Sequence, residues 1–265
     1  MNRQQHKPRR NRGPDVLNIA FGIFFLILIS LLALKMAVRE PSTRYVLLSF
    51  DVEPVDGTQN VMNVLDVVYR HNVSSTFFIT GSYAEAHPEM VKLMAGREIA
   101  CHGYSHTAFT KMTEEEARSE MVRCREVLEK LSGREVVGFR APYNKIDWKT
   151  LKVLEDLGFT YDASMIKGWS VLYPKLDGLR IGEIPVSSFL GIPMEDYAWL
   201  YFIDMSTPYF YVMQNKQSHI ESYLFHPHHI AQHKEEFEAL IKHLKDENVI
   251  FISHQELTET QHEGV

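Results

Sequence analysis

The chain has 265 residues, 45% hydrophobic and 23% charged, enough for one domain with a full core once any tail is set aside. Its charge is uneven. Residues 1–40 hold seven Lys/Arg and two Asp/Glu, leaving 21 basic against 32 acidic side chains, net −11, in residues 41–265. Such an acidic domain speaks against a nucleic-acid partner, because phosphate contacts need a basic face. Two cysteines do not make a disulfide framework.

Residues 1–15 form a basic tail with Arg3, Lys7, Arg9, Arg10 and Arg12. Val16 to Leu34 then carry no charge, and only Asn18 and Ser30 are polar. About 20 apolar residues cross a bilayer core, and Lys35 can snorkel to the far interface. This pattern predicts a transmembrane signal anchor over 16–38, with the tail cytoplasmic and the remainder extracytoplasmic. A cleaved signal peptide fits less well. Its apolar region would span only about 7–15 residues before a small-residue site, and the best site here pairs Lys35 with Ala37. The linker 39–44 spans only about 20 Å when extended, so the domain at 45–265 would work close to the membrane.

From Tyr45 onward, strand and helix patterns alternate. Strand-like runs are 45–51, 75–80, 98–101, 136–139, 184–186, 223–225 and 249–252. Between them, Asn60 to Tyr69 places Val61, Val64, Leu65 and Val68 on one helical face, and Pro88 to Met94 reads as a second helix. Thr113-Glu-Glu-Glu opens a third, which ends at Gly133. Helices at 149–157 and 235–245 follow. This alternation predicts an α/β fold with a parallel sheet, open or closed into a barrel, with chemistry at the carboxyl ends of the strands. Asp51, His102, Arg140 and His226 all fall at or just past predicted strand ends. Residues 165–222 are less readable. The aromatic-rich runs 197–203 and 208–213 read first as core, and second as a sugar-stacking wall.

His102 and His106 lie four residues apart, so a turn could bring both imidazoles to one metal ion. Asp51 and Glu53 lie two apart on a strand and point to the same side. Either carboxylate could complete the ligand set. Cys101 and Cys124 could pair outside the cytoplasm, although Cys124 falls within a predicted helix.

Four clusters recur in order: Ser49-Phe-Asp-Val-Glu53, His102-Gly-Tyr-Ser-His106, Arg140-Ala-Pro-Tyr143 and His226-Pro-His228. This set resembles the NodB-type polysaccharide deacetylases, carbohydrate esterase family 4, over about residues 45–255. The first motif departs from the family's usual Thr-Phe-Asp-Asp-Gly, because its second acid stands at position 53 instead of 52. It looks like the branch that reads Asp-Val-Glu, which also includes relatives acting on other amides. The resemblance implies a distorted (β/α) barrel and a hydrolase that removes N-acetyl groups from an envelope or exported polysaccharide. It implies Asp51 as general base and Arg140 as the residue that holds Asp51 ionised. Glu53, His102 and His106 would be metal ligands, for zinc by default, with Co, Ni or Mn also compatible. The Tyr143 backbone N–H would stabilise the oxyanion, and His226 would be the general acid, a role that His228, His229 or His233 could also take. Asp162 would orient a histidine. The rival expectations are a cyclic imide or ureide hydrolase of the same fold, and a non-catalytic carbohydrate-binding protein.

Overall fold

The computed structural model describes residues 43–202, 205–215 and 218–263. The predicted tail, the anchor over 16–38 and most of the linker lie outside the described residues. Among the described residues, no helix is long and apolar enough to cross a membrane.

Eight parallel strands form one curled sheet. The first half runs β1 (Tyr45–Val52), α1 (Thr58–Arg70), β2 (Thr76–Ile79), α2 (Gly81–Ala86), α3 (Pro88–Met94), β3 (Glu98–Cys101) and α4 (Glu114–Ser132). It continues with β4 (Gly138–Phe139), α5 (Trp148–Asp156), β5 (Tyr161–Asp162) and β6 (Gly182–Glu183). An antiparallel hairpin, β7 (Ser188–Phe189) and β8 (Ile192–Pro193), interrupts the alternation. Leu190 and Gly191 turn it with φ of 51° and 82°, as a tight hairpin turn requires. A π-helical turn (Tyr197–Phe202), α6 (Ser206–Asn215), β9 (Ile220–Phe225), α7 (Pro227–Ile230), α8 (Lys234–Asp246), β10 (Ile250–Phe251) and α9 (His254–Glu263) complete the chain.

β1 is central. It pairs with β9 over Tyr45–Phe50, with β2 over Ser49–Val52 and with β10 at Tyr45–Val46. From β2 the sheet continues through β3, β4 and β5 to β6. Single bridges then link the curl back toward β9, with Ser187 N–H donating to Ser222 O and Leu224 N–H to Met194 O. The strand-period pattern explains the layers. Val46, Leu48, Phe50 and Val52 join Phe77, Ile79, Ile99 and the inner faces of the helices in the main core. Leu47 faces inward with Phe78, Ala100, Tyr161, Ile184 and Leu257.

The helix signals explain the connections. At α4, Thr113 Oγ1 accepts from Glu116 N–H, and Glu116 Oε2 accepts from Thr113 N–H, while Gly133 ends the helix at φ 69°. The start of α9 fills the amino end of the curl. Buried His254 lies between the Phe78 and Tyr161 rings, and its backbone N–H donates to Thr76 Oγ1. Asp51, His102, Arg140 and His226 lie at the opposite, carboxyl end of the curl. Cys101 on β3 and Cys124 on α4 are paired as a disulfide, with their Cα atoms 6.1 Å apart.

The tightest packing lies at β4. A Cβ added to Gly138 would overlap the Tyr161 ring, whose hydroxyl donates to buried Glu98 Oε1 over 2.6 Å. Gly138→Ala is therefore expected to destabilise the domain by about 2 kcal/mol and to lower its thermal midpoint by roughly 4–8 °C, with the same far-ultraviolet spectrum. A midpoint equal to that of the wild type would show that the ring yields freely.

Candidate active site

The strand ends line up as a set of steps. Thr80 N–H donates to Val52 O, His102 N–H to Ile79 O, Arg140 N–H to Cys101 O and Ala163 N–H to Phe139 O. Each bond carries the ladder one residue past its strand, which brings Asp51, His102 and Arg140 to one level. The turn after His102 uses Gly103 at φ 72° and His106 at φ 61°. A side chain on Gly103 would press on the Phe109 ring. Glu120 of α4 fixes this turn from below by accepting from the backbone N–H groups of Tyr104 (3.0 Å) and Ser105 (2.8 Å).

The turn does what the His-x₃-His spacing predicts. Glu53, His102 and His106 each present one donor atom within 4.8 Å of the others. His102 Nδ1–H donates to Arg140 O over 2.8 Å, so the neutral ring directs the lone pair of Nε2 inward. Burial, the largest influence, holds the His102 pKa below its ordinary value and keeps the ring neutral, as a metal ligand must be. Glu53 Oε1 lies 2.9 Å from His106 Nε2 and 4.0 Å from His102 Nε2. Both Nε2 atoms are buried without a hydrogen bond of good geometry. Orphaned imidazole nitrogens converging on a carboxylate fit a divalent cation. Burial alone would raise the Glu53 carboxyl, but His106, His226 and His102 outweigh it and hold it at about 2.

Asp51 makes a different contact. Its Oδ1 accepts from Arg140 Nη1 over 2.8 Å, and its Oδ2 lies 3.6 Å from His102 Nε2. Arg140 is fully buried, and its other bonds run from Nη1 to Ser49 Oγ and from Nε to Ala163 O. Tyr143 has φ 63° and is 59% exposed, with its ring 4.7 Å from that of His106.

His226 enters from the end of β9. Its Nε2 lies 3.6 Å from Glu53 Oε1, while Nδ1–H donates to Asp196 Oδ1 over 2.7 Å. The backbone N–H of His226 reaches Asp196 Oδ2 at 2.6 Å. Burial would lower the His226 pKa, but the Asp196 carboxylate overrides burial and pushes it up to about 10. Burial likewise raises Asp196, yet His226 holds it at about 2. His228 turns away to Asp56 Oδ1 (2.9 Å), and Asp56 Oδ2 also accepts from the Glu53 backbone N–H (2.7 Å).

The orienting acid corrects the sequence reading. Asp162 does not face a histidine. It accepts from Ser164 Oγ and Ser164 N–H, and Ser164 Oγ in turn accepts from Ala141 N–H. Asp162 thus braces the Arg140–Tyr143 turn. The histidine partner is Asp196, which sequence reasoning missed together with Asp56 and Glu195. Asp51, Glu53, His106, Tyr143, Glu195 and His226 are among the residues lining a cavity of about 330 Å³. Glu195 accepts from Asn144 Nδ2, and burial pushes its carboxyl up to about 7.

Residues 38–161 match the sequence model of the polysaccharide deacetylase family. The match supports a polysaccharide deacetylase domain. It takes in Asp51, Glu53, His102, His106, Arg140 and Tyr143, and it stops before Asp196 and His226. The chain is 36% identical over 128 residues to a peptidoglycan-N-acetylglucosamine deacetylase of Bacillus cereus, covering 48% of this chain and 44% of that protein. It is 32% identical over 99 residues to chitin deacetylase 1 of Cryptococcus neoformans, covering 37% of this chain and 21% of that one. It spans about half, or less, of the length of the curated relatives it matches. Among solved structures, it superposes on the peptidoglycan deacetylase PdaC of Bacillus subtilis with a TM-score of 0.60 at 18% identity, covering 84% of this chain and 95% of that one. A CE4 family pseudoenzyme from Bacillus anthracis gives 0.62 at 16% identity, covering 83% of this chain and 66% of that one. Such likeness shows the fold. The pseudoenzyme among these neighbours makes the site residues the deciding matter for activity.

The His226–Asp196 contact is open to direct measurement. Asp196→Asn removes the carboxylate that retains the proton, so the His226 imidazole should titrate more than one unit below its wild-type value, nearer the ordinary ~6.5, by NMR. An unshifted titration would show that Asp196 does not hold the proton.

Proposed function

We propose that the protein is a membrane-anchored, metal-dependent hydrolase that removes N-acetyl groups from an envelope or exported polysaccharide. One observation carries this reading: the orphaned imidazole nitrogens of His102 and His106 converge on Glu53, which lines one cavity with His106, Asp51 and His226. The family match and the polysaccharide deacetylases among the relatives support the substrate class. The basic tail and apolar stretch over 16–38 support the anchor, and the Cys101–Cys124 pair suits an oxidising compartment.

A divalent cation held by Glu53, His102 and His106, zinc by default and Co, Ni or Mn by the same donors, would polarise the amide carbonyl and acidify water from ~15.7 toward ~7. Asp51, paired with Arg140, takes the proton of the attacking water as oxygen bonds to the acetyl carbon. The Tyr143 N–H serves the oxyanion that develops there. His226 passes its Nε2 proton to the nitrogen as the C–N bond breaks, releasing acetate and a free amine. Asp196 keeps the ring oriented before and after the transfer by accepting from Nδ1–H.

The full chain is to be assayed for bound metal and for acetate release from N-acetylglucosamine oligomers. Asp51→Asn should keep the metal, since its ligands are intact, and lose about 10²–10⁴ in kcat. His106→Ala should lose metal and activity together, and a chelator should abolish acetate release by the wild type, with recovery on adding zinc. Metal binding without acetate from any acetylated glycan would move the reading to another amide. Failure to bind zinc or cobalt at all would end the hydrolase reading.

A further inference from the structure

The turn after Arg140 holds two successive residues in the left-handed region. Tyr143 has φ 63° and Asn144 φ 55°. Asparagine enters this region readily, whereas tyrosine does so at a cost. Such a conformation persists only where the surrounding structure over-determines it. The entry to the turn is well held. Ala141 N–H donates to Ser164 Oγ over 2.7 Å, and Pro142 follows with its φ set by its ring. The exit is held less directly. Asn144 N–H donates to Ala141 O (3.1 Å) and Lys145 N–H to Pro142 O (3.3 Å), both within the turn itself. The Tyr143 side chain stands 59% exposed.

Asn144 supplies a tie to a distant part of the chain. Its Nδ2 donates to Glu195 Oε2 over 3.1 Å, while its Oδ1 is buried without a hydrogen bond. Glu195 is itself anchored. It forms a single parallel bridge with Leu224 of β9, and Leu224 N–H donates to Met194 O over 3.1 Å. Glu195 also precedes Asp196, whose two carboxylate oxygens hold His226. Successive residues thus reach two sides of one cavity: Asp196 fixes the imidazole, and Glu195 fixes the turn that carries the Tyr143 N–H. The Asn144 amide needs only an acceptor, and a carboxyl offers one with or without its proton.

We propose that Glu195 is a positioning residue: by holding Asn144 it locks the Tyr143–Asn144 turn, and so fixes the direction of the Tyr143 N–H toward the oxyanion that develops in the reaction. The proposal rests on the hydrolase reading above, in which that N–H serves the oxyanion. Its consequence is specific. A donor that meets charge present only in the transition state acts on kcat and leaves substrate binding nearly untouched. Loosening the lock therefore costs rate and not affinity. A carboxyl that instead touched the sugar would act on KM, and one that only held the fold together would act on the unfolding midpoint.

The test uses the full chain loaded with zinc, as wild type, Glu195→Ala, Glu195→Gln, Asn144→Gly and the double variant Glu195→Ala with Asn144→Gly. Acetate release from N-acetylglucosamine oligomers, bound zinc and the unfolding midpoint are measured for each. Asn144→Gly removes the amide yet tolerates the positive φ. Glu195→Ala and Asn144→Gly should each keep their zinc and lose about 10–10²-fold in kcat, with KM within about twofold of wild type. Glu195→Gln keeps an acceptor of the same reach and should recover most of the lost rate. The double variant should be no slower than the slower single one, because both changes break one link. Losses that multiply in the double variant would overturn the proposal, as would an unchanged kcat or a rise in KM alone in Glu195→Ala. Should Glu195→Ala not fold, a wild-type kcat in Asn144→Gly overturns it instead. A wild type that releases no acetate from any oligomer, yet hydrolyses 4-nitrophenyl acetate, would remove the polysaccharide reading, and the same variants read on the ester would still decide the role of Glu195. Inactivity on both substrates would overturn the two together.

Discussion

The guanidinium of Arg140 is wholly buried inside the curl, and it meets three strands or strand ends at once. It reaches Asp51 and Ser49 on β1, Ala163 past β5, and the face of Phe78 on β2 at 4.0 Å. Its own carbonyl fixes His102 past β3. A buried charge costs several kcal/mol to desolvate, and removing one member of such a pair typically costs about 3–5 kcal/mol, because it leaves the other uncompensated. The closure of the curl and the placement of the candidate base are therefore one energetic event. The same residue also sets the tautomer of a candidate metal ligand.

Two histidines of this site behave oppositely, for a reason visible in their Nδ1 partners. The Nδ1–H of His102 donates to a neutral carbonyl, burial dominates, and the ring is held neutral. The Nδ1–H of His226 donates to a buried carboxylate, the carboxylate dominates, and the ring is pushed up to about 10. One histidine is thus held neutral and the other holds its proton, although both start from the same ordinary pKa. Environments that drive like groups apart mark the division of labour in a hydrolytic site. Asp56 and Glu120 extend the design outward: Asp56 accepts from the backbone N–H groups of Glu53 and His228, and Glu120 from those of Tyr104 and Ser105 in the turn between His102 and His106.

Much of this was legible in the sequence where elements are long or strongly punctuated. The helix at Pro88–Met94 and the strand at Glu98–Cys101 fall where periodicity places them, and Thr113 and Gly133 bound α4 as cap chemistry requires. Asp51, Glu53, His102, His106, Arg140 and His226 converge because strand ends in a parallel sheet share one rim. The misses share a cause. β5 to β8 have two residues each, too short for a period to show. With no element to carry it, Asp196 offered no signal, and Asp162 was named only through the resemblance of Tyr161-Asp-Ala-Ser164 to a family motif. Its actual partner, Ser164, lies only two residues away, a local contact that competes with any distant one.

The illegible stretch also has a functional logic. The regular half of the molecule, β1 to β4, carries the candidate metal ligands, the candidate base and its arginine, groups that need positions exact to a fraction of an ångström and receive them from a rigid ladder. The irregular segment between β6 and β9 carries Asp196, which orients His226, and Glu195 and Tyr197, which line the cavity. Its backbone is anchored only at points such as Ser187 to Ser222 and Met194 to Leu224. A segment held by a few bonds can change length and side chains without disturbing the ladder, whereas β1 pairs on both edges and cannot. Side chains can therefore vary in this segment without disturbing the ladder, and the family match, which stops at residue 161, does not reach it.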